Sequence, residues 1–397
     1  MTQQTHNFDQ LRVDQVGSLV PPEELKQAYR ERAHGRVSDS QLKALQDKAV
    51  SDSIRKQQDI GLPILTDGEF RRRNFQDSFS RAVSGYDVPE NVDALTEYRE
   101  VANPFARTEQ KFDLVGPAVR TRRPATSRLK LQRNVILDEY EAVEALEPKT
   151  PVKISLIGPD RISQRFAWEK SQAVYADLDA FIADVVAIER QMIAGLVEAG
   201  CKYIHIDAPG FTAYMDEVSM DRMRARGEDP QKNLARAIKA ENDLIEGFDG
   251  VTFGLHLCRG NSRSVDPKTG ELLAQWHREG HYDTIAEQLF TSFKHQRLLL
   301  EYDSPRAGSF APLRFVPKDK IAVLGLVTTK SNEVETQDAL KRRIDEASAY
   351  MPVEQMAISP QCGFSSDLEL AQLPEDIQWK KFDVLMRTAD AVWGHMA

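Results

Sequence analysis

Short runs of aliphatic and β-branched residues recur along the chain, separated by longer segments in which apolar residues follow helical spacing. Most of these runs are bounded by Gly, Pro, Asp or Asn, the residue types that commonly end strands. Their composition and length predict eight strands. The predicted strands are Val13–Gly17, Leu62–Thr66, Val152–Ile157, Lys202–Ile206, Val251–Leu257, Arg297–Tyr302, Ile321–Val327 and Gln355–Ile358.

Amphipathic segments between these runs predict helices. One begins with Ser38 or Asp39 as its cap and ends at Gly61, and another ends at Gly200. The predicted helices are Ser38–Ile60, Leu178–Ala199, Asn233–Glu246, Ile285–Phe293, Thr336–Tyr350 and Glu375–Val392. Strands that alternate with helices predict an α/β fold with a parallel sheet, most simply a closed (β/α)₈ barrel of the TIM type. An open doubly wound sheet is the alternative, but no glycine-rich fingerprint follows the first strand.

One segment departs from the alternation of strands and helices. Residues 81–150 separate strands two and three by more than one helix requires, and Pro117 and Pro124 argue against a continuous helix there. We expect a β-rich excursion inserted in a single domain that spans residues 1–397. Its basic stretch Val115–Asn134 either contacts an anionic substrate or neighbouring subunit, or is a solvated strand pair balanced by the acidic run Asp138–Glu147.

Composition narrows the class of protein. The 397 residues include 52 Lys and Arg against 61 Asp and Glu, a net charge of −9, which disfavours general nucleic-acid binding. No stretch approaches the ~20 apolar residues of a membrane span, and the polar residues 1–10 lack the apolar core of a signal peptide. Three cysteines do not make a disulfide framework. We expect a cytoplasmic enzyme with free thiols and small-molecule partners, and homo-oligomer formation stays open.

Polar and thiol residues follow nearly every predicted strand, where barrel enzymes place their active sites. His256 and Cys258 are two residues apart on a strand and therefore point to the same face. Cys362 follows strand eight, and Glu301 ends strand six. Together they make a ligand set suited to zinc. The alternative is that both cysteines are small buried hydrophobes, which is the interpretation we favour for Cys201 at the start of strand four.

A zinc site of this kind favours alkyl transfer to a thiol. A free thiol titrates near pH 8.5 and is mostly protonated at pH 7, whereas coordination to zinc deprotonates it. A carboxylate ligand can give up its place to an incoming substrate thiol. The close CxxC spacing that is typical of purely structural zinc sites is absent here.

Two further carboxylates, Glu69 and Asp207, also follow strands and could hold an α-amino group or serve as a general acid. His205 lies on the same face as Asp207 but deeper, as a support to the site or part of the core. The arginines at 71–73 either grip an anionic group of the substrate or form a solvated helix start.

These residues resemble those of the cobalamin-independent methionine synthase family, especially its short single-barrel members. The matching stretches are residues 16–19, 66–72, 204–209, 256–258, 300–301, 325–327 and 359–363. The resemblance implies a (β/α)₈ barrel, Zn²⁺ held by His256, Cys258, Glu301 and Cys362, and methyl transfer to a homocysteine-like thiol. By position, Ser18, Glu69 and Asp207 would bind the amino-acid part of homocysteine.

The sequence also departs from the long enzymes of that family. It lacks a counterpart of their duplicated N-terminal half, and Lys330 stands where they carry a catalytic histidine, which makes Lys330 a candidate catalytic residue beside Asp207. The methyl donor is left open between methyltetrahydrofolate and methylcobalamin.

Three other functions are compatible with parts of this pattern. An epoxyalkane:coenzyme M transferase would use similar zinc chemistry, with the arginines meeting a sulfonate. A metal-free decarboxylase of the uroporphyrinogen decarboxylase type would not need His256, Cys258 and Cys362. A metal-storing barrel would not need an amino-acid pocket at Ser18, Glu69 and Asp207.

Overall fold

The computed structural model describes residues 8–87, 123–259, 263–265, 272–276, 280–368 and 373–394. Its strands, in chain order, are β1 (Val83–Tyr86), β2 (Ala125–Leu131), β3 (Lys153–Ile157), β4 (Tyr203–Asp207), β5 (Thr252–Leu257), β6 (Arg263–Val265), β7 (Leu272–Trp276), β8 (Arg297–Glu301), β9 (Ile321–Val327) and β10 (Met356–Pro360). Six of them form a parallel sheet in the order β10-β9-β8-β5-β4-β3. These six are the last six predicted strands, and their apolar runs are continuous because both faces of the sheet are buried.

The first two predicted strands flank this sheet through single bridges. Val13 forms a parallel bridge with Ile358 of β10, and Leu65 forms one with Val152, immediately before β3. Among the described residues no strand ladder joins these two segments. The structure therefore establishes an α/β fold with a parallel sheet, while closure into a barrel stays a prediction.

Helices connect consecutive strands and pack around the sheet. They are Glu23–Ala33, Asp39–Asp59, Asp77–Ser80, Val135–Glu144, Pro159–Gln164, Leu178–Glu198, Glu217–Ala225, Pro230–Ile245, Ala286–Ser292, Gln337–Ser348 and Glu375–Trp393. Ser38 caps the second of them: its side chain accepts from the backbone N–H of Gln41, whose side chain returns a bond to Ser38. In the described part of the chain, no helix has the length and apolar character that crossing a membrane requires.

Strands β1 and β2 pair antiparallel within the segment 81–150, as expected for a β-rich excursion. The later part of this segment is the helix Val135–Glu144, which contains most of the acidic run that we expected to balance a strand pair. Residues 88–122, with much of the basic stretch, lie outside the described residues. A second antiparallel pair, β6 with β7, lies between β5 and β8 and was not predicted.

A buried ionic cluster lies at the amino ends of the central strands. Asp14 Oδ1 lies 2.6 Å from Lys153 Nζ, and its Oδ2 lies 3.0 Å from Arg297 Nε and accepts from Tyr203 OH at 2.7 Å. Burial alone would raise the pKa of Asp14, but Lys153 and Arg297 hold it well below its ordinary value. A Cβ at Gly254 would lie 2.9 Å from the Tyr203 hydroxyl, so only glycine leaves room for this ring. Removing one partner of such a buried cluster costs about 3–5 kcal/mol.

Candidate metal centre

The carboxyl ends of β4, β5, β8 and β10 bring the predicted chemistry together at one edge of the sheet. Asp207 pairs in register with His256, and Cys258 follows directly after β5. Cys362 lies two residues after the end of β10. The sequence produces this convergence because parallel strands present their carboxyl ends at a common edge.

His256, Cys258 and Cys362 form a compact group of buried donors. Their ligand atoms lie within 4.8 Å of one another, and the two Sγ atoms are 3.6 Å apart. Two sulfurs bound to one tetrahedral zinc ion at ~2.3 Å would lie about 3.8 Å apart. The hydrogen bond with Cys258, together with burial, raises the pKa of Cys362 well above its ordinary value. The spacing and donor types therefore fit a metal ion, which would replace the shared proton.

Asp207 orients the imidazole of this group. Its Oδ1 lies 2.8 Å from His256 Nδ1, which leaves Nε2 directed toward the loop of Cys362, 3.3 Å from the carbonyl oxygen of Gln361. Burial alone would lower the pKa of His256, but the hydrogen bond to Asp207 raises it above its ordinary value. Burial alone would raise the pKa of Asp207, and the hydrogen bonds from His205 and His256 hold it well below its ordinary value. A carboxylate that fixes the far nitrogen of a ligand histidine is a common support of metal sites.

Glu301 ends β8 beside this group but is not one of the three donors within 4.8 Å of one another. Its Oε1 lies 2.9 Å from Lys330 Nζ, and its Oε2 accepts from the backbone N–H of Arg259 at 3.1 Å. Its role as fourth ligand stays a prediction. Its partners show a carboxylate already held by a cation and a backbone donor.

The ammonium group of Lys330 lies between two carboxylates, those of Glu301 and Asp303. Besides Glu301, its Nζ approaches Asp303 Oδ2 at 3.1 Å. Burial alone would lower the pKa of Lys330, but Glu301 and Asp303 raise it above its ordinary value. The side chain is therefore an ammonium ion at neutral pH, which is a poor proton shuttle.

Glu69 and Ser18 lie close to the loop that contains Cys362 and Gly363. Glu69 adopts a left-handed backbone conformation with φ of 59°, and its Oε1 accepts from Ser155 Oγ at 2.7 Å. Burial raises the pKa of Glu69 to about 7. A Cβ at Gly363 would lie 1.9 Å from Ser18 Oγ, so the glycine next to Cys362 lets the first predicted strand approach this loop.

The Bacillus subtilis (strain 168) proteins YxjH and YxjG are similar to this chain along nearly its whole length. YxjH is 31% identical over 385 residues, which cover 96% of this chain and 94% of YxjH. YxjG is 32% identical over 385 residues, with the same coverage of 96% and 94%. A methionine synthase from Saccharolobus solfataricus is 23% identical over 353 residues, or 88% of this chain and 86% of that protein. No protein-family model matches the chain.

Solved structures share the fold. A B12-independent methionine synthase from Shewanella sp. W3-18-1, in complex with selenomethionine, has a TM-score of 0.68 and 16% identity, and the match covers 96% of this chain and 97% of that one. A protein from Listeria monocytogenes described as a putative vitamin-B12-independent methionine synthase has a TM-score of 0.70 and 22% identity, with coverage of 99% of this chain and 100% of that one. This chain belongs to one family with YxjH and YxjG, and it is similar over most of its length to methionine synthases.

Two of the three arginines at 71–73 have structural roles in this member of the family. Arg72 is buried, lies 2.8 Å from Glu139 Oε2, and donates to Ser155 Oγ and to the carbonyl oxygen of Ser155. Arg71 pairs with Asp47 at 2.7 Å. The alternative in which this cluster binds an anionic group of the substrate is therefore wrong for Arg72. Its guanidinium instead fixes Ser155, which in turn donates to Glu69.

Lys153 and Ser155 were missed by the sequence analysis, although both lie on the third predicted strand. Ser155 contacts Glu69, and Lys153 Nζ lies 3.4 Å from His205 Nδ1. Their alternation on β3 is the signal that could have found them, because residues two apart on a strand share a face. His205 itself is fully buried and lies 3.2 Å from Asp207, and Cys201 is buried two residues before β4, as expected for both.

Proposed function

We propose that this chain is a zinc-dependent methyltransferase that transfers a methyl group to the thiol of homocysteine and forms methionine. The observation that carries the proposal is the buried group of His256, Cys258 and Cys362. Two thiols and one imidazole suit zinc, and three protein ligands of this kind leave room for a further ligand in a catalytic site. The relatives named methionine synthase support the same reaction.

The acceptor thiol would be activated at this group. When bound, zinc would lower the pKa of the acceptor thiol so that it is deprotonated near pH 7. A free thiol, with a pKa of about 8.5, is mostly protonated at this pH. We assign Glu301 as the fourth ligand that the acceptor thiol replaces. After its displacement, the Glu301 carboxylate would stay paired with the ammonium group of Lys330 and hydrogen-bonded to the backbone N–H of Arg259. In the transfer, the new bond forms between the acceptor sulfur and the methyl carbon while the bond from that carbon to the donor breaks.

Glu69, Asp207 and Ser18 are proposed to bind the amino-acid part of homocysteine. Asp207 Oδ1 is occupied by two imidazoles, which leaves Oδ2 for the ammonium group. Glu69 has one oxygen held by Ser155 and borders a recess that extends to Arg73 and Ser365. Each charge-assisted hydrogen bond to the ammonium group would contribute roughly 1.5–3 kcal/mol.

The methyl donor is proposed to have a leaving group that needs no proton, such as methylcobalamin or another methylated corrinoid. Methyltetrahydrofolate leaves as an amine that must be protonated, and the ammonium of Lys330 is held by Glu301 and Asp303. We therefore expect methyltetrahydrofolate to be a slow donor. The folate-dependent reaction of the long enzymes is therefore not the one that we propose for this chain. The cytoplasmic location and homo-oligomer formation stay predictions.

We also propose that the sheet closes into the predicted (β/α)₈ barrel. The bridges at Val13 and Leu65 place the two remaining segments at opposite edges of the six-stranded sheet. A backbone hydrogen bond from Leu19 N to Gly68 O, at 3.1 Å, joins the loops that follow these segments. Such a contact between the two edges is expected when eight strands surround one core.

The coenzyme M and decarboxylase alternatives are weaker. For binding of a sulfonate, Arg72 and Arg71 are already paired with Glu139 and Asp47, so the role would fall to Arg73 at the recess beside Glu69. A decarboxylase without metal would leave the buried thiol pair of Cys258 and Cys362 without a role.

Formation of methionine tests the proposal. The zinc-loaded chain is incubated with homocysteine and a panel of donors that includes methylcobalamin and methyltetrahydrofolate, and methionine is measured by mass spectrometry. Cys362→Ser should lose most of the zinc and the activity, because a hydroxyl is a far poorer ligand than a thiolate. Cys201→Ser is the matched control, since this buried thiol lies outside the donor group. Full retention of zinc by Cys362→Ser would refute the assignment.

A further inference from the structure

A continuous line of buried polar groups connects the ionic cluster at the amino ends of the strands with the candidate metal centre. Lys153 Nζ lies 2.6 Å from Asp14 Oδ1 and 3.4 Å from His205 Nδ1. On the other side of the ring, His205 Nε2 lies 3.2 Å from Asp207 Oδ1. The same oxygen lies 2.8 Å from His256 Nδ1. All five side chains are buried.

The chemistry of Lys153 fixes which nitrogen of His205 carries the proton. An ammonium group has donors and no acceptor, so His205 Nδ1 must face it with a lone pair. The proton of a neutral His205 is then on Nε2, which donates to Asp207 Oδ1. Asp14 Oδ1, 2.6 Å from Lys153 Nζ, favours the charged form of Lys153 against the burial that lowers its pKa, and so favours this direction of donation.

Asp207 connects His205 to the metal centre, because its Oδ1 contacts both His205 Nε2 and His256 Nδ1. Its Oδ1 receives an N–H from His205, which keeps it an acceptor toward His256 Nδ1 as well. Asp207 therefore favours the proton of His256 on Nδ1. Nε2 lies 3.3 Å from the carbonyl oxygen of Gln361, an acceptor, and would present its lone pair when a metal ion takes the place of that contact. A ligand histidine must present such a lone pair to the ion.

We propose that Lys153 and His205 are positioning residues that set the tautomer of His256 and thereby prepare Nε2 as a metal donor. This role rests on the proposed function only in so far as the centre binds a metal ion. It also accounts for a buried lysine and a buried histidine on two fully buried strands, where packing alone would be satisfied by aliphatic side chains. The pair touches neither the metal donors of Cys258 and Cys362 nor the recess at Glu69.

Nuclear magnetic resonance of the chain with ¹⁵N-labelled histidine tests the tautomers directly and needs no substitution. Two-bond nitrogen–proton correlations should show the proton of His205 on Nε2 both without and with zinc, and the proton of His256 on Nδ1 in the zinc-loaded chain. A proton on Nδ1 of His205 would overturn the proposal. Because this readout does not depend on turnover, failure to form methionine would leave it intact.

Metal affinity provides the second measurement, by competition of Zn²⁺ with a chromophoric chelator. His205→Leu and Lys153→Met should weaken zinc binding by about 10- to 100-fold, the usual loss when an outer partner of a ligand histidine is removed. His205→Gln should restore the affinity of the parent chain, because its amide can accept from Lys153 and donate to Asp207. Unchanged affinity in a folded His205→Leu variant would contradict the proposal.

His295→Leu is the matched control for the loss of a buried imidazole. His295 is fully buried, and neither of its ring nitrogens has a hydrogen bond in the structure. Its replacement should leave zinc affinity unchanged. An equal loss of affinity in this variant would show that the effect at His205 is general destabilisation and would also count against the proposal.

Discussion

The ammonium group of Lys330 lies 2.9 Å from Oε1 of Glu301. This ion pair joins the residue that follows the seventh predicted strand to the carboxylate that we propose as the replaceable metal ligand. Arg306 adds a second positive group, 3.8 Å from the same oxygen. The carboxylate is therefore held by two fixed cations, and we propose that it also serves as a metal ligand.

Replacing Lys330 should change how strongly zinc is held. In Lys330→Met, Glu301 loses its main competing cation and the centre loses a nearby positive charge, so zinc binding should tighten by about tenfold, or ~1.4 kcal/mol. Homocysteine should bind more weakly, because its thiol must displace a carboxylate that is freer to bind the ion. Chelator competition measures the first effect and titration calorimetry the second.

Lys318→Met is the control for this variant, since it removes one positive charge from an exposed position. It should affect neither zinc nor homocysteine binding. Weaker zinc binding by Lys330→Met would contradict the competition between Lys330 and the metal for Glu301.

Binding of homocysteine should release a proton. The free thiol is mostly protonated at pH 7 and would bind as the thiolate, so about one proton per bound thiol should appear in solution. Calorimetry in buffers of different ionisation enthalpy gives the proton count. Absence of release near neutral pH would mean that the thiol does not reach the metal.

Glu69 should make recognition of the amino group depend on pH. Because burial raises the pKa of Glu69 to about 7, the carboxylate that pairs with ammonium is more abundant at pH 8 than at pH 6. The preference for homocysteine over 3-mercaptopropionate, which lacks the amine, should therefore rise between these values. The ratio of the two affinities cancels the pH dependence of the thiol, which both compounds share.

Glu69→Gln keeps the shape of the side chain and removes the charge. In this variant the preference for homocysteine should be smaller, by an amount of about 1.5–3 kcal/mol, and should not change between pH 6 and pH 8. A pH-dependent preference that survives the substitution would assign the ammonium group to another carboxylate.

The pattern of the sequence located most of the fold because buried parallel strands are continuous apolar runs. Ile321–Val327 was predicted with the bounds that the structure shows, and the helix beginning at Leu178 ends one residue earlier than expected. The runs at Val13 and Leu65 make only single bridges, which no local pattern distinguishes from a full strand. Strands β6 and β7 were missed because they are short and lie in a polar stretch.

The candidate site was predictable where its chemistry is marked by residue type and strand position. His256, Cys258 and Cys362 come together as the spacing indicated. Lys153 was missed, because a lysine at the start of an apolar run is ordinarily a solvated strand end. Its burial depends on Asp14, which is distant in sequence and pairs with it only in the folded chain.

Lys330→His tests the proposed donor preference. A histidine titrates near pH 6.5 and can deliver a proton to a leaving amine, whereas the lysine cannot. The variant should raise any rate with methyltetrahydrofolate more than the rate with methylcobalamin. Rapid turnover of methyltetrahydrofolate by the unmodified chain would show that the proton arrives by another route.

The sulfur count around the metal, determined by zinc K-edge X-ray absorption with and without homocysteine, bears most directly on the proposal that this centre activates a thiol. Without homocysteine, the zinc-loaded chain should show two sulfur ligands, from Cys258 and Cys362, with nitrogen and oxygen ligands from His256 and Glu301. With saturating homocysteine, the count should rise to three sulfurs with loss of the oxygen. Two sulfurs in both states, in a chain that binds homocysteine, would contradict the proposal.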